Sequence, residues 1–185
     1  MNKIKSICVY CGSQAGNNSI FMESAQILGE SMAQNGIRLV YGGGDRGIMG
    51  AVSDAVRNNG GLITGVIPDF LIKVEGERTV DSDDEDLVIT TNMHERKQKM
   101  FEEADAFIAL PGGIGTLEEI VEIMTWAQLD RHTKPILLLN VNGFWDPLLE
   151  LLEHMKSAGF LHHSEKLQPI VVERAEDILL AFGKN

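Results

Sequence analysis

Short apolar runs alternate with helix-length amphipathic segments along the chain. Runs rich in β-branched and aromatic residues predict strands, and the periodic segments between them predict helices over about 19–35, after Gly47 and from about residue 92. The predicted strands cover residues 6–10, 37–41, 62–67, 87–90, 105–110 and 135–139. Residues 107–110 and 136–139 are apolar throughout, which is typical of strands buried on both faces of a parallel sheet. The pattern predicts an α/β fold: a doubly wound, mainly parallel, Rossmann-like sheet with helices on both faces.

Length and composition predict a single domain over residues 1–185. A chain of 185 residues has the length of one domain, and neither an internal repeat nor a linker divides it. No apolar run approaches the roughly 20 residues of a membrane helix, and residues 1–6 lead into the first strand without the apolar core of a signal peptide. The formal net charge of −11 disfavours nucleic acid as a partner. We therefore expect a cytoplasmic protein that neither spans a membrane nor binds nucleic acid.

The residues that most often hold metals or form redox centres give little support to such roles. Cys8 and Cys11 lie three residues apart in and beyond a strand, so we expect reduced thiols on opposite faces rather than a redox pair. The five histidines show no paired metal spacing. The acidic run 81–86 is best interpreted as a solvated surface loop. Metal binding there remains open, although the run lacks the pattern of an EF-hand.

Three predicted strands lead into glycine-rich loops, at residues 11–13, 42–47 and 111–116. Ligands of open α/β sheets bind outside the carboxyl ends of the strands, where these loops lie. In the third loop Gly112, Gly113 and Gly115 allow close approach to the backbone, and the next helix points its first amides at the same place. These glycines could instead only form a tight turn, but three convergent loops favour a phosphate site.

The second loop also matches G-x-G-x-x-G through Gly42, Gly44 and Gly47, which is a weak indication of dinucleotide binding. The acidic residue that should bind the ribose about 20 residues later is missing from the end of the next strand, since Asp69 lies beyond Pro68. A dinucleotide-dependent oxidoreductase therefore stays an alternative only. Neither loop ends in the G-K-[ST] of a P-loop, so triphosphate hydrolysis has no support.

Two helix starts carry charged residues that have both structural and functional interpretations. Thr116 and Glu119 match a capping box, yet Glu119 would also lie near a ribose whose phosphate occupies the helix N-terminus. Asn92 is predicted to cap the other helix, with Glu95 at its third position. Cations in its first turns need a neighbouring anion. For Lys97 a salt bridge to the acidic run is the simpler explanation.

The planar guanidinium of Arg96 suits a phosphate or ribose hydroxyls better than a salt bridge. The apolar helix over residues 120–127 is more hydrophobic than one buried face requires, which indicates deep burial or a dimer interface.

Two motifs together resemble those of the LOG ("Lonely Guy") family of cytokinin riboside 5′-monophosphate phosphoribohydrolases. They are MHERK at 93–97 and PGGxGTxxE at 111–119. The resemblance extends over nearly the whole chain, through CGS at 11–13, YGGG at 41–44, GIMG at 47–50, GVIP at 65–68 and TWAQ at 125–128.

The resemblance implies a homodimeric, Rossmann-like enzyme that cleaves the N-glycosidic bond of AMP or N6-modified AMP to the free base and ribose 5-phosphate. It matches Arg96 and Glu119 to the catalytic pair. It matches the substrate contacts to Ser13, Gly43, Gly44, Glu75, Met93, Lys97, Gly112, Gly113, Ile114, Gly115, Thr116, Leu117, Glu118 and Thr125. Neither a metal nor another cofactor is expected. The older label of lysine decarboxylase has no chemical support, because no motif in the sequence identifies a lysine for pyridoxal phosphate.

Breaking an N-glycosidic bond passes through an oxocarbenium-like ribose, so the enzyme must stabilise that charge and activate water. We expect Glu119 to do both, while Arg96 and the glycine loop hold the ribose and its phosphate. The alternatives are a nucleotide or cofactor carrier on the same scaffold and an AMP nucleosidase of purine salvage.

Overall fold

Seven parallel strands form one sheet in the structure, a computed structural model that describes residues 4–72, 86–161 and 168–183. The strands are β1 (Ser6–Tyr10), β2 (Arg38–Tyr41), β3 (Ile63–Pro68), β4 (Asp86–Thr90), β5 (Ala106–Ala109), β6 (Ile136–Leu139) and β7 (Ile170–Val172). Their spatial order is β4-β3-β2-β1-β5-β6-β7, and every neighbouring pair is parallel. The predicted doubly wound parallel sheet is confirmed.

Helices cover both faces of this sheet, as the alternating pattern predicts. They are α1 (Ser19–Gln34), α2 (Gly47–Asn58), α3 (Met93–Glu103), α4 (Ile114–Gln128), α5 (Asp146–Ser157) and α6 (Ile178–Phe182). Buried residues of α1, α2 and α6 form one core layer, and α3, α4 and α5 pack against the other. In the described part of the chain, none of the helices combines the length and apolar character needed to cross a bilayer.

Alternation along β1 divides its side chains between the two core layers. Ile7, Val9 and Cys11 belong to the layer of α1 and α2, whereas Cys8 and Tyr10 belong to the layer of α3 and α4. Both cysteines are buried thiols. The prediction that they face opposite sides of the sheet is confirmed.

The sheet changes winding direction between β1 and β5, and this switch positions the cleft described below. From β1 the chain moves outward through α1 to β2, while β5 on the other side of β1 is reached from β4 through α3. The loops that follow β1 and β5 therefore leave the sheet in different directions and open a crevice at its carboxyl edge.

At the opposite edge, a histidine locks the loop before β6 onto α4. The Nδ1 atom of His132 accepts a hydrogen bond from the Lys134 N–H at 3.1 Å, so the neutral ring donates from Nε2 to the Ile123 carbonyl, 2.9 Å away. The ring also packs edge-on against Phe101 and Phe107. Partial burial lowers the pKa of His132, and the charge of Lys134 lowers it further.

We predict that His132 makes the folded protein lose stability as pH falls below about 6.5, the ordinary pKa of an unfolded histidine. Because the pKa of His132 is lower in the folded state, the unfolded chain binds more protons between the two pKa values. The stabilisation by His132 is therefore complete above pH 6.5 and is lost as the pH falls through the folded-state pKa. Chemical denaturation at pH 7.5 and 5.5 measures the loss.

His132→Gln should lower the free energy of unfolding at pH 7.5 by about 1 kcal/mol, the scale of a hydrogen bond. Between pH 7.5 and 5.5, the free energy of unfolding should fall less in this variant than in the parent. His154→Gln on the exposed surface of α5 is the matched control. An equal pH loss in the parent and His132→Gln would show that His132 does not contribute.

Candidate active site

A cleft of about 340 Å³ lies at the carboxyl edge of the sheet, over β1 and β5. It is lined by Cys11, Gly12, Ser13, Met49, Leu71, Met93, Arg96, Gly113, Ile114, Gly115, Thr116, Glu118 and Glu119. These residues come from the loop after β1, the start of α2, the 3-10 turn after β3 (Asp69–Leu71), the first turn of α3 and the first turns of α4. Segments distant in sequence thus converge on the predicted edge.

A second hollow of about 450 Å³ lies between α1 and α2. Its charged lining consists of the carboxylates Glu30, Asp45 and Asp54, and it contains none of the residues predicted for substrate. A lining whose charged groups are all carboxylates is unsuited to a phosphate. The cleft over β1 and β5 is therefore the candidate active site.

The cleft brings together most of the residues predicted from sequence, including Arg96 and Glu119. The other predicted residues that line it are Ser13, Met93, Gly113, Ile114, Gly115, Thr116 and Glu118. The lining does not include Gly43, Gly44, Lys97, Gly112, Leu117 or Thr125. Glu75 lies outside the described residues, as does most of the acidic run 81–86.

The glycines of the loop after β5 have two different surroundings. A Cβ built on Gly112 would press on Thr116 and lie 2.8 Å from the Gly12 nitrogen, so this position is needed for close packing of two loops. The Gly12 N–H donates to the Pro111 carbonyl at 3.1 Å. Built on Gly113 or Gly115, a Cβ would meet nothing within 4 Å. The tight-turn interpretation therefore holds for Gly112, whereas Gly113 and Gly115 border open space in the cleft.

Helix α4 begins at Ile114, three residues before the predicted capping box would start it. Gly113 is the N-cap residue, and the Leu117 N–H already donates to its carbonyl at 3.1 Å. Thr116 is thus the third residue of the helix and Glu119 the sixth, beyond the positions from which a side chain caps. The capping-box interpretation of this pair is wrong. The first amides of α4 instead lie beside the cleft, where the helix dipole favours an anion.

The carboxylate of Glu119 lies close enough to two buried groups under the cleft to act on their ionisation. Burial raises the pKa of Tyr10, and the Glu119 charge raises it further. Burial likewise raises the pKa of the Cys8 thiol far above its ordinary value, with Glu119 raising it and Arg96 lowering it. The phenol and the thiol therefore stay neutral, and the charged groups that line the cleft are Arg96, Glu118 and Glu119.

The guanidinium of Arg96 is held by backbone carbonyls of β3 and of the residue that follows β2. Its Nε donates to the Val66 carbonyl and its Nη2 to the Gly42 carbonyl, each at 3.1 Å, while Nη1 lies 3.9 Å from the Met93 sulfur. The side chain is only 4% exposed, although it borders the cleft. Each of its three nitrogens thus has a partner in the protein, and two of these partners are backbone carbonyls.

The N-terminal cap of α3 fixes the position of the backbone that carries Arg96. The Asn92 side chain accepts a hydrogen bond from the Glu95 N–H at 2.9 Å, as predicted for an N-cap. Glu95 in turn accepts from the backbone and hydroxyl of Thr91, both at 2.8 Å. The backbone hydrogen bond, followed by the hydroxyl, lowers the pKa of Glu95. The predicted cap is confirmed.

Lys97 points to the neighbouring helix. Its ammonium lies 2.6 Å from Glu118 and 3.0 Å from Glu122, both on α4. Partial burial works to lower the pKa of Lys97, but its hydrogen bonds to Glu118 and Glu122 raise it overall. Among the residues described, the partners of Lys97 are therefore on α4, and the lysine stays a cation rather than a neutral amine nucleophile.

Three other predicted contacts are not part of the cleft lining. Gly43, at φ 76°, packs against Ile67, and the Gly44 N–H donates to the Met49 sulfur at 3.2 Å. The hydroxyl of Thr125 donates to the Val121 carbonyl on the exposed side of α4. Each of these groups has a contact within the fold, and their role as substrate contacts stays a prediction.

Several residues at the site were not predicted from the sequence. Met49 and Leu71 line the cleft, and Gly42 and Val66 bind Arg96 through their carbonyls. An apolar side chain carries no sequence signal that separates a cleft wall from the core. The glycine-rich pattern of residues 42–47 did mark Gly42, but it predicted contact with a phosphate rather than with an arginine.

The chain is similar to proteins with named activities. A family model described as "Possible lysine decarboxylase" matches residues 49–182. Cytokinin riboside 5'-monophosphate phosphoribohydrolase LOG of Oryza sativa subsp. japonica is 44% identical over 181 residues, covering 97% of this chain and 73% of that protein. The Arabidopsis thaliana protein LOG2, which has the same enzyme name, is 42% identical over 178 residues, covering 96% of this chain and 82% of its own.

A solved structure shares the architecture at lower identity. The molybdenum cofactor carrier protein of Chlamydomonas reinhardtii superimposes with a TM-score of 0.69 at 21% identity, covering 98% of both chains. At this identity the likeness shows the shared fold alone.

Proposed function

The chain belongs to the LOG family of cytokinin riboside 5′-monophosphate phosphoribohydrolases, and from this premise we propose that it hydrolyses the N-glycosidic bond of AMP and N6-modified AMP. The products are the free base and ribose 5-phosphate. The observation that carries the proposal is the cleft in which the first amides of α4, Arg96 and Glu119 converge. An anion site, a cation and a carboxylate are the groups that this reaction needs.

The 5′-phosphate binds at the N-terminus of α4. The amides there lack intrahelical partners, the helix dipole favours an anion, and the open space beside Gly113 and Gly115 admits its oxygens. Ser13, from the loop after β1, supplies a hydroxyl on the other side of the cleft. Binding energy at the phosphate, remote from the bond that breaks, then orients the ribose.

Glu119 acts on the ribose and on water. As the C1′–N bond lengthens, its electron pair moves to the base and positive charge develops on the ribose, which the carboxylate stabilises. The water oxygen bonds to C1′, and Glu119 takes one of its protons, which finally neutralises the base. Arg96, whose guanidinium is held by Val66 and Gly42 at the border of the cleft, fixes the ribose phosphate and hydroxyls.

The base lies against the apolar part of the lining, formed by Met49, Leu71, Met93 and Ile114. Flat apolar surface suits a purine, and polarisable thioethers pack well against aromatic rings. We keep Glu75 as a proposed substrate contact from the resemblance. Lys97 and Gly112 support the site indirectly, through α4 and through the packing of the loop.

We also propose that the protein is a homodimer built on α4. Ile114, Val121 and Leu129 are exposed at 82%, 39% and 65%, and their spacing along α4 places them on one stripe. In a monomer this row of large apolar side chains stays in water, whereas a two-fold interface would bury it. A cytoplasmic location is proposed with it, because the substrate is an intracellular metabolite and both cysteines are thiols.

We predict that AMP is cleaved and adenosine is not. Because the phosphate supplies charge-assisted hydrogen bonds, its absence should lower kcat/KM by about a hundredfold or more. Chromatography of released adenine, over a panel of monophosphates and their nucleosides, measures the difference. Equal turnover of AMP and adenosine would rule out the phosphate site, and AMP binding without adenine release would indicate a carrier.

We predict that Glu119→Gln lowers kcat about a hundredfold or more, since a positioned acid–base group contributes on that scale. Glu119 is not a cap, so the thermal midpoint should stay near that of the parent. AMP binding, measured by calorimetry, should persist because the phosphate is held elsewhere. Near-parental kcat in a folded variant would remove Glu119 from the mechanism.

We predict a dimer that depends on the stripe of α4. Light scattering at micromolar concentration should show a dimer for the parent and a monomer for Val121→Arg, since a buried unpaired charge is costly. Leu180→Arg, on the exposed surface of α6 in the opposite layer, is the matched control and should stay dimeric. A monomeric parent with full activity contradicts the proposal.

A further inference from the structure

Gly42 follows β2 and lies in contact with the guanidinium of Arg96. Its carbonyl accepts the hydrogen bond from Nη2 at 3.1 Å. A Cβ built on Gly42 would overlap Nη2 and lie 3.3 Å from both Cζ of Arg96 and the sulfur of Met49. The guanidinium therefore occupies the space that any side chain at position 42 would take.

The backbone conformation of Gly42 does not itself demand glycine. The residue lies outside the left-handed region, unlike its neighbour Gly43 at φ 76°. The obstacle to an alanine at position 42 is the ends of two flexible side chains, Arg96 and Met49, and not backbone. Glycine at this position is needed for the arginine rather than for the turn.

A second carbonyl completes the hold on the guanidinium. Val66 of β3 accepts from Nε at 3.1 Å, so Arg96 spans the carboxyl ends of β2 and β3. Its planar fork has donors in fixed directions, and two anchored nitrogens determine both the position and the plane of the group. Loss of either contact lets the plane rotate.

We propose that Gly42 is a positioning residue for the hydrolysis, acting through Arg96 by offering its carbonyl and leaving room for the guanidinium. The inference rests on the proposed function, in which Arg96 contacts the substrate. An alanine at position 42 moves the guanidinium off the Gly42 carbonyl while the fold survives. A displacement on the order of 1 Å at a catalytic group is enough to lower the rate greatly.

The first test compares Gly42→Ala with Gly61→Ala. In Gly61→Ala a Cβ would lie 2.6 Å from a methyl carbon of Val56, 2.8 Å from the Cβ of Ala33 and 3.1 Å from its Cα, crowding the α1–α2 layer away from the cleft. Both variants should fold. Gly42→Ala should lose at least about tenfold in kcat with a smaller change in KM, and Gly61→Ala should keep the parental kcat.

A double-mutant cycle separates action through Arg96 from a general effect. If Gly42 acts only by placing the guanidinium, Gly42→Ala should cost nothing further in an Arg96→Ala background. Equal fold-losses from Gly42→Ala in the presence and absence of the arginine overturn the inference.

A ligand-free measurement keeps the two proposals apart. The Nε–H of Arg96, bonded to the Val66 carbonyl, should give a protected proton signal in NMR that is absent in Arg96→Lys. The signal should remain in Gly61→Ala and shift or exchange rapidly in Gly42→Ala; if Gly42→Ala leaves it unchanged, the inference fails. The proposed function fails if Arg96→Ala keeps parental activity or if the parent releases no adenine from AMP. In either case the NMR signal still shows whether Gly42 positions the guanidinium.

Discussion

The backbone contact between the loop after β1 and the loop after β5 is the constraint on which the rest of the site depends. Gly12 donates to the Pro111 carbonyl, and a Cβ built on Gly12 would lie 3.2 Å from the Cα of Gly112, so side chains at either glycine would force the loops apart. The contact lies where the sheet reverses its winding. It turns the N-terminus of α4 toward β1 and brings Glu119 over Tyr10 and Cys8, although these residues are far apart in sequence.

Around this contact, the fold places opposite charges at one cleft and neutralises the groups beneath it. Arg96 is nearly buried, a costly state for a cation unless it is hydrogen-bonded, and the strand-end carbonyls of Gly42 and Val66 supply those bonds. Lys97, the next residue, instead ties α3 to α4 through Glu118 and Glu122. Adjacent cations therefore have separate tasks: one borders the cleft and the other holds together the two helices that form it.

The alternation of apolar runs and amphipathic segments was enough to predict six strands, the parallel sheet and the carboxyl-edge location of the cleft. The pattern did not predict β7, which has three residues with no fully buried side chain, or α5, whose crowded leucines at 148, 149, 151 and 152 do not mark one face. The sequence also predicted the wrong start for α4, because the residues around its N-terminus, including Gly113 and Gly115, are not strong helix formers. The partners of Lys97 and Arg96 could not be predicted, since they lie 21 to 54 residues away and depend on packing.

A crystal structure of the Glu119→Gln variant with AMP would reveal how the nucleotide lies in the cleft, because the substrate would remain intact in a slowed enzyme. The account predicts the phosphate within hydrogen-bonding distance of the first amides of α4, with the ribose between Arg96 and position 119 and the base against Leu71 and Met93. A nucleotide bound between α1 and α2, or one in the cleft with its base at the α4 N-terminus and its phosphate elsewhere, would contradict it.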